Sequence, residues 1–103
     1  MVIRIFGKED CNHCQAVKKK LGFLLRKWKL AEQVPVQFVD MDTVEGLAEG
    51  AFHDVAHIPT TILQEQADGG APLGAVLARW DGASPRSSEL GTYLEGHSGA
   101  SAD

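Results

Sequence analysis

The chain has 103 residues, enough for one domain with its own core and too few for two. No apolar run approaches the ~20 residues needed to cross a bilayer, and a net charge of −4 argues against general nucleic-acid binding. The charge is unevenly spread: residues 1–29 carry eight basic and two acidic side chains, and residues 30–103 carry two basic and twelve acidic ones. Any basic patch is therefore confined to Lys18, Lys19, Lys20, Arg26, Lys27 and Lys29, which read most simply as a solvated helix face.

The opening "M-V-I-R-I-F-G" reads as a strand rather than a leader, because Arg4 interrupts the apolar run. The expected compartment is the cytoplasm, where thiols are kept reduced. Val2 to Phe6 is predicted as the first strand, bounded by Gly7. A long helical stretch follows from about Cys11 to Ala31. Val36 to Asp40 is a second strand, opened by Pro35. Residues 43–54 suit a short helix, with Asp42 and Glu45 spaced as a capping box. "A-H-I-P-T-T-I-L-Q" becomes a third strand at Thr60, and "E-Q-A-D-G-G-A-P-L-G" is the longest predicted loop. Ala75 to Trp80 is a fourth strand. Ser84 and Pro85 suit an N-cap and first residue of a last helix, with Leu90, Tyr93 and Leu94 on its apolar face and Gly96 as its end. The expected domain is 1–96, and 97–103 is expected to be a disordered tail. The order β-α-β-α-β-β-α predicts an α/β fold: a four-stranded mixed sheet with three flanking helices.

The only two cysteines stand in "E-D-C-N-H-C-Q" at the start of the first helix. At about 100° per residue, Val17, Leu21, Leu24, Leu25 and Trp28 share one sector. Cys14 falls inside that sector and Cys11 just outside it, so one sulfur should be shielded and the other exposed. Their i, i+3 spacing puts the Cα atoms about 5–6 Å apart, which suits a disulfide. Phe23 and Leu30 fall on the polar side as a small contact surface.

A structural zinc site wants four ligands, and the chain has one cysteine pair. "H-D-V-A-H" at 53–57 has metalloprotease histidine spacing but lacks the Glu after the first His. Pro59 also follows closely, so His53 and His57 should not share a helix face. A metal or iron–sulfur site using Cys11 and Cys14, in one chain or shared between two, is the rival from another class. A C-x-x-C pair that follows a strand and opens a helix points instead to dithiol redox chemistry. Free amides and the positive end of the dipole stabilise a thiolate there. Cys11 is placed to attack a disulfide and Cys14 to resolve the mixed disulfide. Protonated His13 and Lys8 would favour the thiolate, whereas Glu9 and Asp10 oppose it; Asp10 also suits a helix cap.

With these residues the chain resembles the thioredoxin–glutaredoxin superfamily over roughly residues 1–96. "I-P-T" at 58–60 is similar to the superfamily's cis-proline segment. The resemblance implies a cis bond at Pro59 beside the cysteines, and backbone hydrogen bonds from Ile58 to substrate. The short first strand and Asp10, where thioredoxins carry a Trp, make the chain look glutaredoxin-like. Lys8 matches a glutaredoxin lysine that pairs with a glutathione carboxylate. "R-W-D-G-A-S-P-R" stands where glutaredoxins have a Gly-Gly turn and a C-x-D-D-like element.

The expectation is a cytoplasmic, monomeric dithiol–disulfide oxidoreductase acting on disulfide-containing proteins, with no tightly bound cofactor or metal and no nucleic-acid or membrane partner. Its electron donor would be glutathione or a thioredoxin-reductase-type flavoenzyme. A third reading is a thioredoxin-fold interaction domain with little activity.

Overall fold

All six residues of the first strand, β1 (Val2–Gly7), are buried, and the sheet grows on both sides of it. The computed structural model describes residues 1–65 and 74–98. Strand β2 (Val36–Asp40) pairs parallel with β1, Ile3 beside Val36 and Gly7 beside Asp40. On the other edge β3 (Thr60–Gln64) runs antiparallel, Val2 beside Gln64 and Phe6 beside Thr60. Strand β4 (Val76–Asp81) closes the order β2-β1-β3-β4, with an irregularity between Leu63 and Gln64. The parallel pair needs a crossover, and the first helix supplies it. The predicted four-stranded mixed sheet with three helices is what the chain forms.

Alternation along β1 divides the core in two. Ile3 and Ile5 face one layer with Leu63, against Val17, Leu21 and Leu25 of α1 (Asn12–Lys27) and Leu90 and Leu94 of α3 (Ser87–Ser98). Phe6 faces the opposite layer with Ile62 and Val39, beneath α2 (Val44–Phe52).

Helix α1 ends four residues short of the expected Ala31. Lys29 adopts φ 61°, its N–H donates to the Arg26 carbonyl (3.1 Å), and Leu30 N–H donates to Leu25 (2.8 Å). This pair of bonds is a Schellman closure with a lysine where glycine is usual. The reversal carries Leu30 off the helix surface and into the core at 7% exposure, which corrects its expected place on the polar side. Phe23 stays exposed.

Helix α2 is capped by Thr43, not by the expected Asp42–Glu45 box. Thr43 Oγ1 accepts from Gly46 N–H (2.9 Å) and donates to the Asp40 carbonyl (2.7 Å). Asp42 N–H is held by the Asp40 carboxylate (2.9 Å). Helix α2 crosses the strands. It starts against Asp40 of β2, where a Cβ on Gly46 would fall on the Asp40 carbonyl. Glu49 meets Arg4 of β1 (2.8 Å). At its end the His53 and Asp54 carbonyls accept from Arg79 of β4.

Helix α3 also starts late. The Pro85 carbonyl is taken by the Lys20 ammonium (3.1 Å), and the Arg86 carbonyl instead accepts the Leu90 N–H (2.9 Å). Ser84–Pro85 is therefore a lead-in, not the cap. Leu90 and Leu94 are buried, while Tyr93 is 43% exposed and stacks edge-on with Trp80. The helical backbone passes the expected end at Gly96 and runs to Ser98. The rest of the expected tail, and most of the predicted long loop, lie outside the described residues.

Arg4 is buried within β1, 6% exposed, and its guanidinium is shared among three elements. Nε donates to Gln37 (2.7 Å), Nη2 pairs with Glu49 (2.8 Å), and Nη1 faces Gln64 and His53 (each 3.4 Å). His53 is held below its ordinary value of 6.5, chiefly by burial and next by the Arg4 charge, which outweigh Glu49 and Asp54. The unfolded chain thus binds this proton more readily. Stability is complete above 6.5 and is lost as pH falls from there toward the lower folded value. Thermal unfolding between about pH 7 and about pH 5 should show the parent losing more Tm than His53→Gln; parallel curves would remove His53 from the acid response.

Candidate redox site

Strand β1 ends at Gly7, and after three intervening residues the chain reaches the N-cap of α1 at Cys11. Cys11 is in extended conformation (φ −91°, ψ 109°). Its N–H donates to the Lys8 carbonyl (3.1 Å), and its carbonyl accepts from Gln15 N–H (3.1 Å). Its sulfur accepts the Cys14 N–H (3.1 Å), so Cys11 takes the capping place that Asp10 was expected to suit. Asp10 and Glu9 are both exposed.

The two sulfurs are disulfide-bonded, with Cα atoms 5.2 Å apart, inside the range expected from the i, i+3 spacing. Cys11 is half-buried and Cys14 fully buried. The shielding comes from Gly7, whose Cα faces Cys14: a Cβ there would stand 2.7 Å from Sγ and 2.9 Å from Cβ of Cys14. Sequence reasoning took Gly7 only as the end of a strand. The available signal was a glycine between an apolar strand and a C-x-x-C helix.

The Ile58–Pro59 bond is cis. Phe6 pairs with Thr60, so the next antiparallel step sets Pro59 beside Gly7. Pro59 is buried and Ile58 half-buried. The register thus brings the proline to the end of the sheet where the cysteines lie. Thr60 Oγ1 donates to the His57 carbonyl (2.6 Å) and steadies that turn.

Lys8 is also at this end, but its ammonium lies 3.5 Å from Asp42, so part of its charge is already answered. Both partners are well exposed, and such a pair contributes little to stability. His13 is exposed in the first turn of α1. The lysine-rich face of α1 is solvated, and Lys18, Lys19 and Arg26 line a groove of about 420 Å³ beside Val36 of β2. Among the described residues no three His, Cys, Asp or Glu side chains gather as metal ligands. Nor is any helix among them long and apolar enough to cross a membrane.

The Gly7 contact makes a direct prediction. Gly7→Ala forces a methyl against a buried sulfur on a packed helix, and should cost about 1–3 kcal/mol. Urea unfolding of the disulfide form would register the loss; an unchanged midpoint would mean that α1 yields freely here.

No protein-family model matches the chain, and no curated protein sequence does. Solved structures do. Thioredoxin-2 of a malaria parasite, a component of its protein secretion machinery, is 22% identical over 93% of this chain and 82% of its own, with a TM-score of 0.66. Thioredoxin 1 of Thermosipho africanus is 19% identical over 100% of both chains, with a TM-score of 0.65. A thioredoxin of Thermus thermophilus is 24% identical over 93% of this chain and 72% of its own, with a TM-score of 0.60. With its strand order, its cis-proline turn and its cysteine-capped helix, the chain has the thioredoxin fold.

Proposed function

We propose that the protein is a dithiol–disulfide oxidoreductase of glutaredoxin-like type that reduces disulfides in proteins or small molecules. The observation that carries this reading is the asymmetry of the pair: an accessible sulfur at the helix N-cap, hydrogen-bonded by the Cys14 amide, and a second sulfur sealed against Gly7. In the reduced protein the Cys11 thiolate attacks one sulfur of a substrate disulfide. A mixed disulfide forms, and the other substrate sulfur leaves as a thiolate and takes up a proton. Cys14 then gives up its proton and attacks Cys11 Sγ, forming the Cys11–Cys14 bond and releasing the second substrate thiol. Two electrons and two protons pass to the substrate.

The helix start stabilises the attacking thiolate through the Cys14 N–H and the dipole. Exposed Glu9 and Asp10 act against it, screened by water and salt. Ile58, beside the buried Pro59, offers its backbone to an extended substrate segment, Lys8 supplies positive charge, and His13 is exposed in the first turn of α1 within reach of a substrate. Asp10 before Cys11, where thioredoxins carry a Trp, supports the glutaredoxin-like assignment. Glutathione or a thioredoxin-reductase-type flavoenzyme regenerates the dithiol in a reducing compartment. Coupling NADPH oxidation through glutathione reductase in one assay and thioredoxin reductase in another identifies the donor.

The division of labour has its own test. Exposed to an oxidised dithiol substrate, Cys14→Ser should accumulate a mixed disulfide through Cys11, because no resolving thiol remains. Cys11→Ser should form far less, since Cys14 is fully buried. Equal trapping by mass spectrometry would overturn the assignment. Metal or colour copurifying with the protein, lost in both variants, would favour the cluster-carrier reading.

A further inference from the structure

Helix α2 is turned inside out. Its sheet side carries Gly46 and Gly50, both buried, with no room for side chains above Asp40 and Met41. Its outer side carries Val44, Leu47 and Phe52, which are 81%, 55% and 80% exposed. Ala48 and Ala51 are exposed between them, completing the i, i+3, i+4, i+7 row of one helical face. Among the described residues six large hydrophobic side chains are exposed, and three stand on this nine-residue helix. A contiguous apolar surface of this kind marks a contact site, whereas scattered exposed apolar residues do not.

The charge around it selects the partner. Segment 41–57 contains Asp42, Glu45, Glu49 and Asp54 and no Lys or Arg. Three cations touch the segment from outside it: Arg4 pairs with Glu49 from beneath the helix, its side chain 7% exposed, Lys8 meets Asp42 before the helix, and Arg79 holds the His53 and Asp54 carbonyls after it, which leaves Glu45 and Glu49 as the charges on the helix itself. A second copy placed face to face on α2 would set acid against acid. A partner with an apolar cluster rimmed by basic residues would match both features. The N-terminal end of the helix lies toward the end of β1 that leads to the cysteines: Thr43 hydrogen-bonds the Asp40 carbonyl, Asp40 pairs with Gly7, and Asp42 meets Lys8.

We propose that the outer face of α2 is the docking surface for the protein's disulfide-bearing substrate, a protein surface with an apolar cluster rimmed by Lys or Arg. This rests on the oxidoreductase reading for what happens after docking, but not for docking itself.

The probes are two synthetic amphipathic helical peptides with the same Leu/Phe stripe, one rimmed by Lys and one by Glu. Each is made with an internal disulfide and, redox-inert, with serines in place of its cysteines. Fluorescence anisotropy with the inert peptides and the disulfide form of the protein should give about tenfold tighter binding for the Lys-rimmed peptide. Leu47→Gln/Phe52→Gln, which alters only exposed side chains, should lose that binding at least about tenfold. The same variant should reduce a small neutral disulfide at the parent rate, and reduce the Lys-rimmed disulfide peptide with a raised KM. Equal binding of the two peptides, or undiminished binding by the variant, overturns the proposal. So does a concentration-dependent oligomer in sedimentation that the variant lacks, which would give the face to a second copy, for instance through Phe23 and the lysines of its α1. A parent that binds the inert peptide with this preference but reduces no disulfide would uphold the docking face and overturn the oxidoreductase reading instead.

Discussion

The geometry of the cysteine end depends on one close approach, between the last residue of β1 and the sulfur of Cys14. Only a hydrogen on Gly7 lets the helix start settle there, since a methyl would stand 2.7 Å from the sulfur. Once it settles, Cys14 is sealed and Cys11, three residues earlier, is left at the rim with its sulfur on an amide. The chemical difference between two identical residues is thus imposed by packing. The same strand end fixes its neighbours: the Gly7 carbonyl accepts Met41 N–H (2.8 Å), and the register with β3 brings Pro59 alongside.

A second constraint acts on the opposite layer. Burying a guanidinium is costly unless its donors are answered, and Arg4 is answered from β2, β3 and α2 at once. With Arg79 holding the His53 and Asp54 carbonyls, polar anchors rather than apolar side chains fix α2 across the sheet. Helix α2 can therefore lie close on glycine and leave its larger apolar residues outside.

How far the sequence disclosed this varied with the kind of signal. Val36 to Asp40 could be placed to the residue, because Pro35 opens it and V-Q-F-V is rich in strand-forming residues. Cys11 and Cys14 could be assigned opposite exposures from helical periodicity alone. The end of α1 could not be placed, because a left-handed turn at a lysine leaves no glycine to read; Leu30 was misplaced with it. The α2 cap was one residue off because Asp42 and Thr43 are both good caps, and only the three-dimensional position of Asp40 decides between them. The Gly7 contact was invisible because a close approach between segments has no local pattern. The cis peptide at Pro59 came from family resemblance and not from the physics of the segment.

The inverted α2 shows where periodicity misleads. A row at 44, 47, 48 and 51 reads as a core-facing stripe, and on most short helices it would be one. Two facts reverse it. Glycines at 46 and 50 define a flatter face that approaches the backbone more closely, and Asp40 with Met41 occupies the space that side chains would need. The sheet beneath is already covered by Phe6, Val39 and Ile62 with Arg4 among its polar anchors, so inward-facing Leu47 and Phe52 would have to displace a satisfied charge network. Leaving Val44 and Phe52 in water forgoes about 1.5–3 kcal/mol for each. Turning the helix over would take Glu49 from the buried Arg4 guanidinium, and would set side chains where Gly46 meets the Asp40 carbonyl and Gly50 meets Met41. The close glycine contacts and the buried arginine together decide which side of α2 faces out, and an exposed apolar face is the consequence.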